Sequence, residues 1–205
     1  MGESGGPGVV NIDMGPDAES ALTARLIEAC GDGPEIGAAL RLARRAHDGA
    51  VREDGSPYLC HPLRAALILV DEAGVRDTRL ACAALLHDVI EDGPGIGRDH
   101  VAAECGEDVA RLVDCLTNEF RCSCVPRDER KRRYLLRVAA AGGDCLLVKL
   151  CDRLDNLRSL SRLGDPDKER RIRRETRLYL LPAIQGRAGA FETLGRLLAA
   201  ALGPS

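Results

Sequence analysis

The residues best suited to chemistry lie in the stretch ALLHDVIEDGPG, residues 84–95. Residues four apart share a face of a helix, so His87 lies over Glu91 there. By the same spacing Asp88 lies over Asp92, which places three carboxylates in a last helical turn where the helix dipole disfavours negative charge. No Lys or Arg compensates them. A divalent cation held by imidazole and carboxylate would resolve the conflict, and a solvated acidic helix end is the alternative.

Two other segments offer further ligands for such an ion. His61 precedes a proline, which keeps its backbone extended at the start of a predicted helix; its alternative role is that of a helix cap or a core histidine. Asp152 lies in LLVKLCDRLDNLRSL beside an apolar stripe. Lys149 and Asn156 share the neighbouring face of that helix. A local ion pair with Lys149 or Arg153 at the edge of the core is the alternative role of Asp152.

Helices must position these side chains, because apolar residues recur at three- and four-residue spacing along most of the chain. No strand-like alternation exceeds four residues. We predict an all-α fold, a single compact bundle of about nine to eleven helices over 17–203, preceded by a Gly- and Pro-rich disordered leader at 1–16. The predicted helices span 18–30, 34–51, 61–74, 76–92, 97–118 with a break at Gly106, 126–142, 144–163, 167–184 and 190–202.

Composition limits the classes of function. Hydrophobic residues make up 45% of the chain but aromatic residues only 2%, with no Trp, so Leu, Ala, Val and Ile must build the core. A formal net charge of −3 argues against a general nucleic-acid binder, which would be strongly basic. No apolar stretch approaches the roughly 20 residues that span a bilayer, and the N-terminus lacks the features of a secretory signal. We expect neither nucleic acid nor membrane as a partner.

The nine cysteines are scattered and odd in number. Without an export signal they indicate reduced thiols that serve as small core residues in a cytoplasmic protein. The CSC stretch at 122–124 lacks a second Cys/His pair at the spacing of a structural zinc site. We expect structural roles for the other two histidines, His47 and His100.

Two basic runs, RDERKRR at 127–133 and DKERRIRRETR at 167–177, interleave acidic residues. That pattern is typical of solvated helix faces with ion pairs four residues apart, and this is the interpretation we favour. A patch that steers phosphate groups is the alternative.

Three motifs in order, AHDGAVREDGSPYLCHP, ALLHDVIEDG and LVKLCDRLDNLRSL, resemble the hydrolase domain of the RelA/SpoT family. That domain is a branch of the HD-domain metal phosphohydrolases, and the similarity runs over about residues 36–180. It implies that the helical bundle is an HD domain. In length the chain is similar to the stand-alone small alarmone hydrolases of the family.

The resemblance also implies a metal centre and its acid–base partners. One Mn²⁺ would be held by four ligands: His61, His87, Asp88 and Asp152. Glu91 and Asp92 match the family's Glu-Asp pair, which assists the attack of water. The implied reaction is hydrolysis of (p)ppGpp at its 3′-diphosphate, which yields pyrophosphate and GDP or GTP. The implied nucleotide contacts are Arg52, Lys149, Asn156 and Tyr179.

Three departures from the family pattern lie near the implied nucleotide pocket: Glu53 after Arg52, Asp155 where His or Tyr usually precedes the Asn, and TNEF at 117–120. They leave two alternatives open. The first is a phosphatase acting on another nucleotide, such as the 2′-phosphate of NADPH, an activity associated with a metazoan member of the family. The second is a catalytically silent module that binds a nucleotide or a partner. The sequence indicates no particular oligomeric state.

Overall fold

The computed structural model describes residues 17–118 and 124–203, and of 161–163 only the backbone. Within these ranges the regular secondary structure is entirely helical, apart from one isolated bridge between Val51 and Pro57. The predicted all-α fold is therefore confirmed. The predicted leader over 1–16 lies outside the described residues.

Most helix boundaries lie within two residues of the predicted ones, but the helix predicted over 34–51 ends at Ala46. A π-helical turn, Ile68–Glu72, extends the helix Cys60–Leu67, and a second, Thr176–Leu180, joins the helices Pro166–Glu175 and Leu181–Ile184. The α-helices are α1 (Ala18–Cys30), α2 (Pro34–Ala46), α3 (Cys60–Leu67), α4 (Thr78–Leu86), α5 (Val89–Asp92), α6 (Arg98–Cys105), α7 (Glu107–Leu116), α8 (Arg127–Ala141), α9 (Gly143–Leu163), α10 (Pro166–Glu175), α11 (Leu181–Ile184) and α12 (Ala190–Leu202).

Local signals explain where several of these helices begin and end. The Asp77 side chain accepts hydrogen bonds from the backbone N–H groups of Arg79 and Leu80, which caps the start of α4. Gly106 adopts a φ of 88°, a conformation that favours glycine, and separates α6 from α7 as predicted.

Helix α9 lies at the centre of the bundle. It packs against α3, α4, α7, α8 and α12, while α1 and α2 cover α3 and α4 from the other side. The core is built mainly from Leu, Ala and Val, as the composition requires. Tyr134 is a buried exception, and its hydroxyl donates a hydrogen bond of 2.6 Å to the carbonyl of Leu116. Because α9 is central, several of its polar side chains, such as Asp152 and Asp155, lie in the interior.

The predicted helix over 76–92 is wrong in one respect, because it breaks at His87 and Asp88. Helix α4 ends at Leu86, and Glu91 belongs to the separate single turn α5. At the break, Nδ1 of His87 is hydrogen-bonded to the carbonyl of Ala84 at 2.7 Å. That carbonyl would accept the Asp88 N–H in a continuous helix. The side chain of His87 thus replaces the backbone and frees the chain to turn.

The cysteines also depart from expectation. Cys115 at the end of α7 and Cys145 in the first turn of α9 form a disulfide, with their Cα atoms 6.5 Å apart. The expectation of reduced thiols throughout is wrong for this pair, because the packing of α7 on α9 brings together two residues that lie 30 positions apart. Among the described residues, five cysteines are free: Cys30, Cys60, Cys82, Cys105 and Cys151.

None of the described helices is long and apolar enough to cross a membrane. This agrees with the hydropathy of the sequence.

A close approach of backbone segments requires glycine at position 93. A Cβ atom there would lie 2.6 Å from the carbonyl oxygen of Val89, 2.8 Å from Cδ1 of Ile96 and 3.0 Å from Cβ of Ala46. The φ of Gly93 is −80°, so space rather than backbone conformation is the constraint. The contact packs the turn after α5 against α2.

We predict that Gly93→Ala destabilises the fold by about 1–3 kcal/mol, because the added methyl group overpacks a rigid contact. Urea unfolding followed by circular dichroism measures the change. Gly37→Ala is the matched control: it lies inside α2, where a Cβ would meet only the end of the Arg41 side chain at 3.4 Å. That variant should be more stable than wild type by up to about 1 kcal/mol, and equal effects of both substitutions would contradict the packing argument.

Candidate metal centre and adjoining cavity

Four predicted ligand side chains meet in one buried place. His61 extends from α3, His87 and Asp88 from the break after α4, and Asp152 from the middle of α9. Nε2 of His61 lies 3.1 Å from Oδ1 of Asp152 and 3.8 Å from Oδ2 of Asp88. Nε2 of His87 lies 3.2 Å from Oδ2 of Asp88 and 3.5 Å from Oδ1 of Asp152. The donor atoms of His61, His87 and Asp88 all lie within 4.8 Å of one another, and Asp152 approaches both imidazoles from α9.

The hydrogen bonds of the imidazole rings determine which atoms face inward. His87 uses Nδ1 to reach the Ala84 carbonyl, which can only accept, so the Nδ1 atom carries the proton. His61 uses Nδ1 to reach the Asp155 carboxylate at 2.7 Å. Each ring is left with Nε2 toward the two carboxylates, and Nε2 of His87 is buried without a hydrogen-bond partner. Lone pairs facing carboxylates repel one another, so a cation fits this donor set.

The electrostatics of the centre point the same way. Burial lowers the pKa of His87, but Asp88 and Asp152 outweigh it and raise that pKa well above its ordinary value. Burial raises the pKa of Asp88, but the neighbouring His87 reverses the effect and holds it well below the usual aspartate value. The carboxylates thus demand positive charge at the centre, which a proton or a metal ion could supply.

Neighbouring side chains orient Asp152. Lys149 Nζ lies 2.5 Å from Oδ2 of Asp152, and the Asn156 amide donates to Oδ1 at 2.6 Å. Burial lowers the pKa of Lys149, but Asp152 overcomes the effect and raises it, so the lysine stays charged. The local ion pair considered for Lys149 is therefore present, and it holds a carboxylate that faces the centre.

Tyr58 orients Asp88 in a similar way, and His47 packs against Tyr58; neither is among the predicted site residues. The Tyr58 hydroxyl donates to Oδ2 of Asp88 at 2.8 Å. The ring of His47 stacks on that of Tyr58, with centroids 4.6 Å apart. Burial lowers the pKa of His47 to about 4, so its ring is neutral at physiological pH. The YLCHP motif contained this signal, since Tyr58 stands three residues before His61.

Asp155, noted above only as a departure from the family pattern, lies directly behind His61. Besides bonding the His61 ring, its carboxylate accepts from Nε of Arg64 at 2.5 Å and from Nη2 of Arg64 at 3.1 Å. Arg52 adds an ion pair at 3.4 Å. Burial raises the pKa of Asp155, but the bonds from His61 and Arg64 reverse this and hold it well below the ordinary value. Asp155 is therefore a buried anion.

Glu91 and Asp92, the predicted acid–base pair, differ in position. Glu91 lines the cavity beside the centre, and its Oε1 accepts the backbone N–H of Asn118 at 2.7 Å. Asp92 is exposed at the end of α5. It is not part of the cavity wall among the described residues, although it interacts with the Tyr58 hydroxyl.

Two contiguous cavities of about 380 Å³ each open on the centre. Their shared wall is formed by Glu91, Lys131, Lys149, Asp152, Asn156 and Lys168. Burial, together with the nearby charge of Lys149, lowers the pKa of Lys131 to about 8. Several Lys and Arg residues line the two cavities next to the candidate metal centre, together with the carboxylates of Glu91, Asp128 and Glu175. The cations suit a phosphorylated ligand.

The interpretation of the two basic runs as solvated faces is wrong for part of each run. Arg127, Arg130 and Lys131 of α8 and Lys168 and Arg171 of α10 line the cavity. Other residues of the runs do form surface ion pairs, as expected: Arg132 and Arg133 with Glu129, Arg170 with Asp167, and Arg173 with Glu169. One face of each helix turns toward the cavity, and only the packing of α8 and α10 on the bundle decides which face.

The predicted nucleotide contacts are placed unevenly. Arg52 and Asn156 line the cavity and bond to each other, with Nη2 of Arg52 donating to Oδ1 of Asn156 at 3.0 Å. Glu53 forms an ion pair with Lys168 at the rim. Tyr179 lies in an adjoining groove, away from the described walls of the two cavities. The CSC stretch is described only at Cys124.

Comparison with known proteins assigns the chain to a family. Residues 39–179, which include all four ligand positions, match the family model of the HD domain. The chain belongs to the HD-domain family. Human MESH1, named a guanosine-3′,5′-bis(diphosphate) 3′-pyrophosphohydrolase, is 40% identical over 122 residues, or 58% of this chain and 66% of that protein. The RelA/SpoT resemblance of the motifs is thus confirmed.

Bacterial relatives of this HD-domain chain are much longer. The bifunctional (p)ppGpp synthase/hydrolase SpoT of Escherichia coli K12 is 39% identical over 139 residues, which are 66% of this chain and 19% of that protein. A Vibrio cholerae 3′-pyrophosphohydrolase is 38% identical with the same coverage. The chain therefore spans about a fifth of these relatives.

A solved structure confirms the HD-domain fold. It belongs to a metazoan ortholog of SpoT, described as hydrolysing ppGpp, and it matches with a TM-score of 0.60 and 22% identity. The alignment covers 92% of this chain and 96% of that one.

We predict that Asp88→Asn weakens divalent-cation binding by more than the roughly 10- to 100-fold typical of residues that act from outside the ligand shell. The reason is that a neutral amide replaces one of two carboxylates at the convergence point. Isothermal titration with Mn²⁺ gives the dissociation constant. Asp114→Asn, an exposed carboxylate on α7, controls for loss of charge, and an unchanged affinity in Asp88→Asn would remove this aspartate from the site.

Proposed function

We propose that the protein is a Mn²⁺-dependent phosphohydrolase that cleaves the 3′-diphosphate of (p)ppGpp, releasing pyrophosphate and GDP or GTP. One observation carries the proposal: two inward-facing imidazole nitrogens and two carboxylate oxygens converge beside a cation-lined cavity. The named activity of the relatives supports this choice of substrate.

In this proposal His61, His87, Asp88 and Asp152 hold the ion. The bound ion would activate a water molecule and neutralise charge that develops on the phosphoryl oxygens. Lys149 and Asn156 keep Asp152 in place, and the Tyr58 hydroxyl does the same for Asp88. Such support lets the ligands meet the ion without reorganising.

The proton of the attacking water requires an acceptor, and we assign this role to the Glu91 carboxylate. Its Oε1 atom is fixed by the Asn118 N–H, so the side chain has a defined direction at the cavity wall. Asp92 is proposed to assist from the end of α5 through Tyr58, with which it interacts.

The cationic wall is proposed to bind the substrate phosphates. Lys131 and Lys168 lie on the part of the wall that both cavities share. Arg52, Lys149 and Asn156 are the proposed nucleotide contacts there, and Tyr179 would contribute from the adjoining groove.

The experiment that tests the proposal measures product release from purified protein given ppGpp or NADPH, each with and without Mn²⁺. Pyrophosphate from ppGpp that depends on Mn²⁺ is the expected result. Orthophosphate from NADPH alone would instead make the protein an NADPH 2′-phosphatase. No product from either substrate, with Mn²⁺ bound, would contradict hydrolysis of both and leave a silent binding module.

We predict that Glu91→Gln lowers kcat for ppGpp by about 10²–10⁴-fold, the usual contribution of general acid–base catalysis. The metal affinity should change little, because Glu91 is not among the four converging groups. Steady-state kinetics with saturating Mn²⁺ test this. Glu107→Gln, an exposed residue paired with Arg98, is the control, and a Glu91→Gln enzyme with wild-type kcat would exclude the assigned base.

We further predict that Asn156→Ala raises KM more than it lowers kcat, because Asn156 anchors Arg52 in the cavity. An initial-rate series over ppGpp concentration separates the two constants. A fall in kcat at unchanged KM would show that Asn156 acts mainly through Asp152.

A further inference from the structure

We propose that Asp155 is a positioning residue for the metal centre: it fixes the ring of His61 so that Nε2, and not Nδ1, faces the ion. The inference rests on the proposed function insofar as that function places a metal ion at this site. The Asp155 carboxylate bonds Nδ1 of His61, whereas Nε2 of the same ring faces Asp152.

Helices α3 and α9 meet through two pairs of residues at matching spacing. His61 and Arg64 lie three residues apart on α3, and Asp152 and Asp155 lie three residues apart on α9, so each pair shares a helix face. His61 faces Asp152 through Nε2 at 3.1 Å and Asp155 through Nδ1 at 2.7 Å. The ring is therefore held between two carboxylates of one helix.

This placement gives the two carboxylates different tasks. An imidazole that donates Nδ1–H to Asp155 presents a lone pair only at Nε2, the atom that faces Asp88 and Asp152. A carboxylate behind a ligating histidine fixes its tautomer and ring direction and makes it a stronger ligand. His87 obtains the same tautomer from a neutral backbone carbonyl. Of the two rings, only that of His61 has a charged group bonded to Nδ1.

The Asp155 carboxylate is itself held rigidly. Its side chain is only 2% exposed, and Arg64 binds both of its oxygens. Arg52 approaches Oδ2 from the cavity side at 3.4 Å, and Ser159 caps the Asp155 carbonyl. Because Asp155 cannot turn away, the direction of the His61 ring is set before any ion arrives.

A purely structural role, in which the Asp155–Arg64 pair only joins α3 to α9, requires a matched comparison. Glu72 provides it, since it lies in the π-helical turn that extends α3 and binds Arg158 of α9 through both oxygens at 2.6 and 2.8 Å. Its side chain is 3% exposed. The Glu72–Arg158 pair therefore joins the same two segments through a carboxylate as buried as that of Asp155, although Arg158 is more exposed than Arg64. Neither Glu72 nor Arg158 contacts a proposed ligand in the described structure.

The first experiment compares Asp155→Asn with Glu72→Gln by titrating each purified protein with Mn²⁺ in a calorimeter. We expect the dissociation constant of Asp155→Asn to rise by about 10- to 100-fold. The dissociation constant of Glu72→Gln should stay within about twofold of wild type, even if its thermal unfolding temperature falls as far as that of Asp155→Asn. Unchanged affinity in Asp155→Asn, or equal loss in both variants, would overturn the proposal.

A second measurement needs no variant and remains decisive if Asp155→Asn does not fold. Wild-type protein with ¹⁵N-labelled histidine is loaded with diamagnetic Zn²⁺, and long-range ¹H–¹⁵N spectra identify the protonated nitrogen of each ring. We expect His61 to carry its proton on Nδ1, with Nε2 bound to the metal. Coordination through Nδ1 would overturn the assignment.

These measurements separate the inference from the proposed reaction. Protein that binds Mn²⁺ with the expected Asp155 dependence but does not hydrolyse ppGpp would refute the reaction only. Wild-type protein that binds neither Mn²⁺ nor Zn²⁺ would refute both.

Discussion

Two imidazole nitrogens and two carboxylate oxygens lie close together between α3, α9 and the end of α4. The negative charge of the carboxylates and the lone pairs of the imidazoles there must be balanced by positive charge. Ionised groups cannot be buried in this way without compensation. Neighbouring cations supply part of this compensation: Lys149 binds Asp152, and Arg64 binds Asp155, the carboxylate behind His61. The remaining demand for positive charge lies at the centre itself, where a divalent cation fits.

This constraint explains several local features of the fold. The break after α4 lets His87 turn its ring onto the Ala84 carbonyl and brings Asp88 inward, which a straight helix would not do. Helix α9 enters the middle of the bundle although it carries many polar residues, because each of its buried charges meets a partner on another segment or one turn away. Its polar face is therefore stabilised by specific pairs, while its apolar face packs in the core.

The cavity extends the same electrostatic logic outward. Cations from α8, α9 and α10 line the cavity beside the candidate metal centre, although carboxylates such as Glu91 also belong to its wall. A phosphorylated ligand would thus be drawn in by the wall and meet the ion at the centre. The departures at Glu53 and Asp155 form ion pairs with Lys168 and Arg52 respectively, two cations of the cavity wall. This is where the chain differs from the pattern of its family.

The sequence by itself determined the helical class and most helix boundaries, and it named the four candidate ligand side chains that lie together at the centre. The reason is that hydrophobic periodicity, capping residues and glycines act locally. The three motifs, for their part, contain His, Asp and Glu residues that the sequence shows directly as candidate ligands. Only the tertiary structure decided how those residues are used. It broke the helix at His87, joined Cys115 to Cys145, turned one face of α8 and α10 to the cavity, and placed Asp155 behind His61. The disulfide, the cavity-facing sides of α8 and α10 and the position of Asp155 depend on contacts between segments far apart in the chain, about which local periodicity carries no information. The break at His87 depends on a side-chain hydrogen bond to the Ala84 carbonyl that the helical period does not reveal.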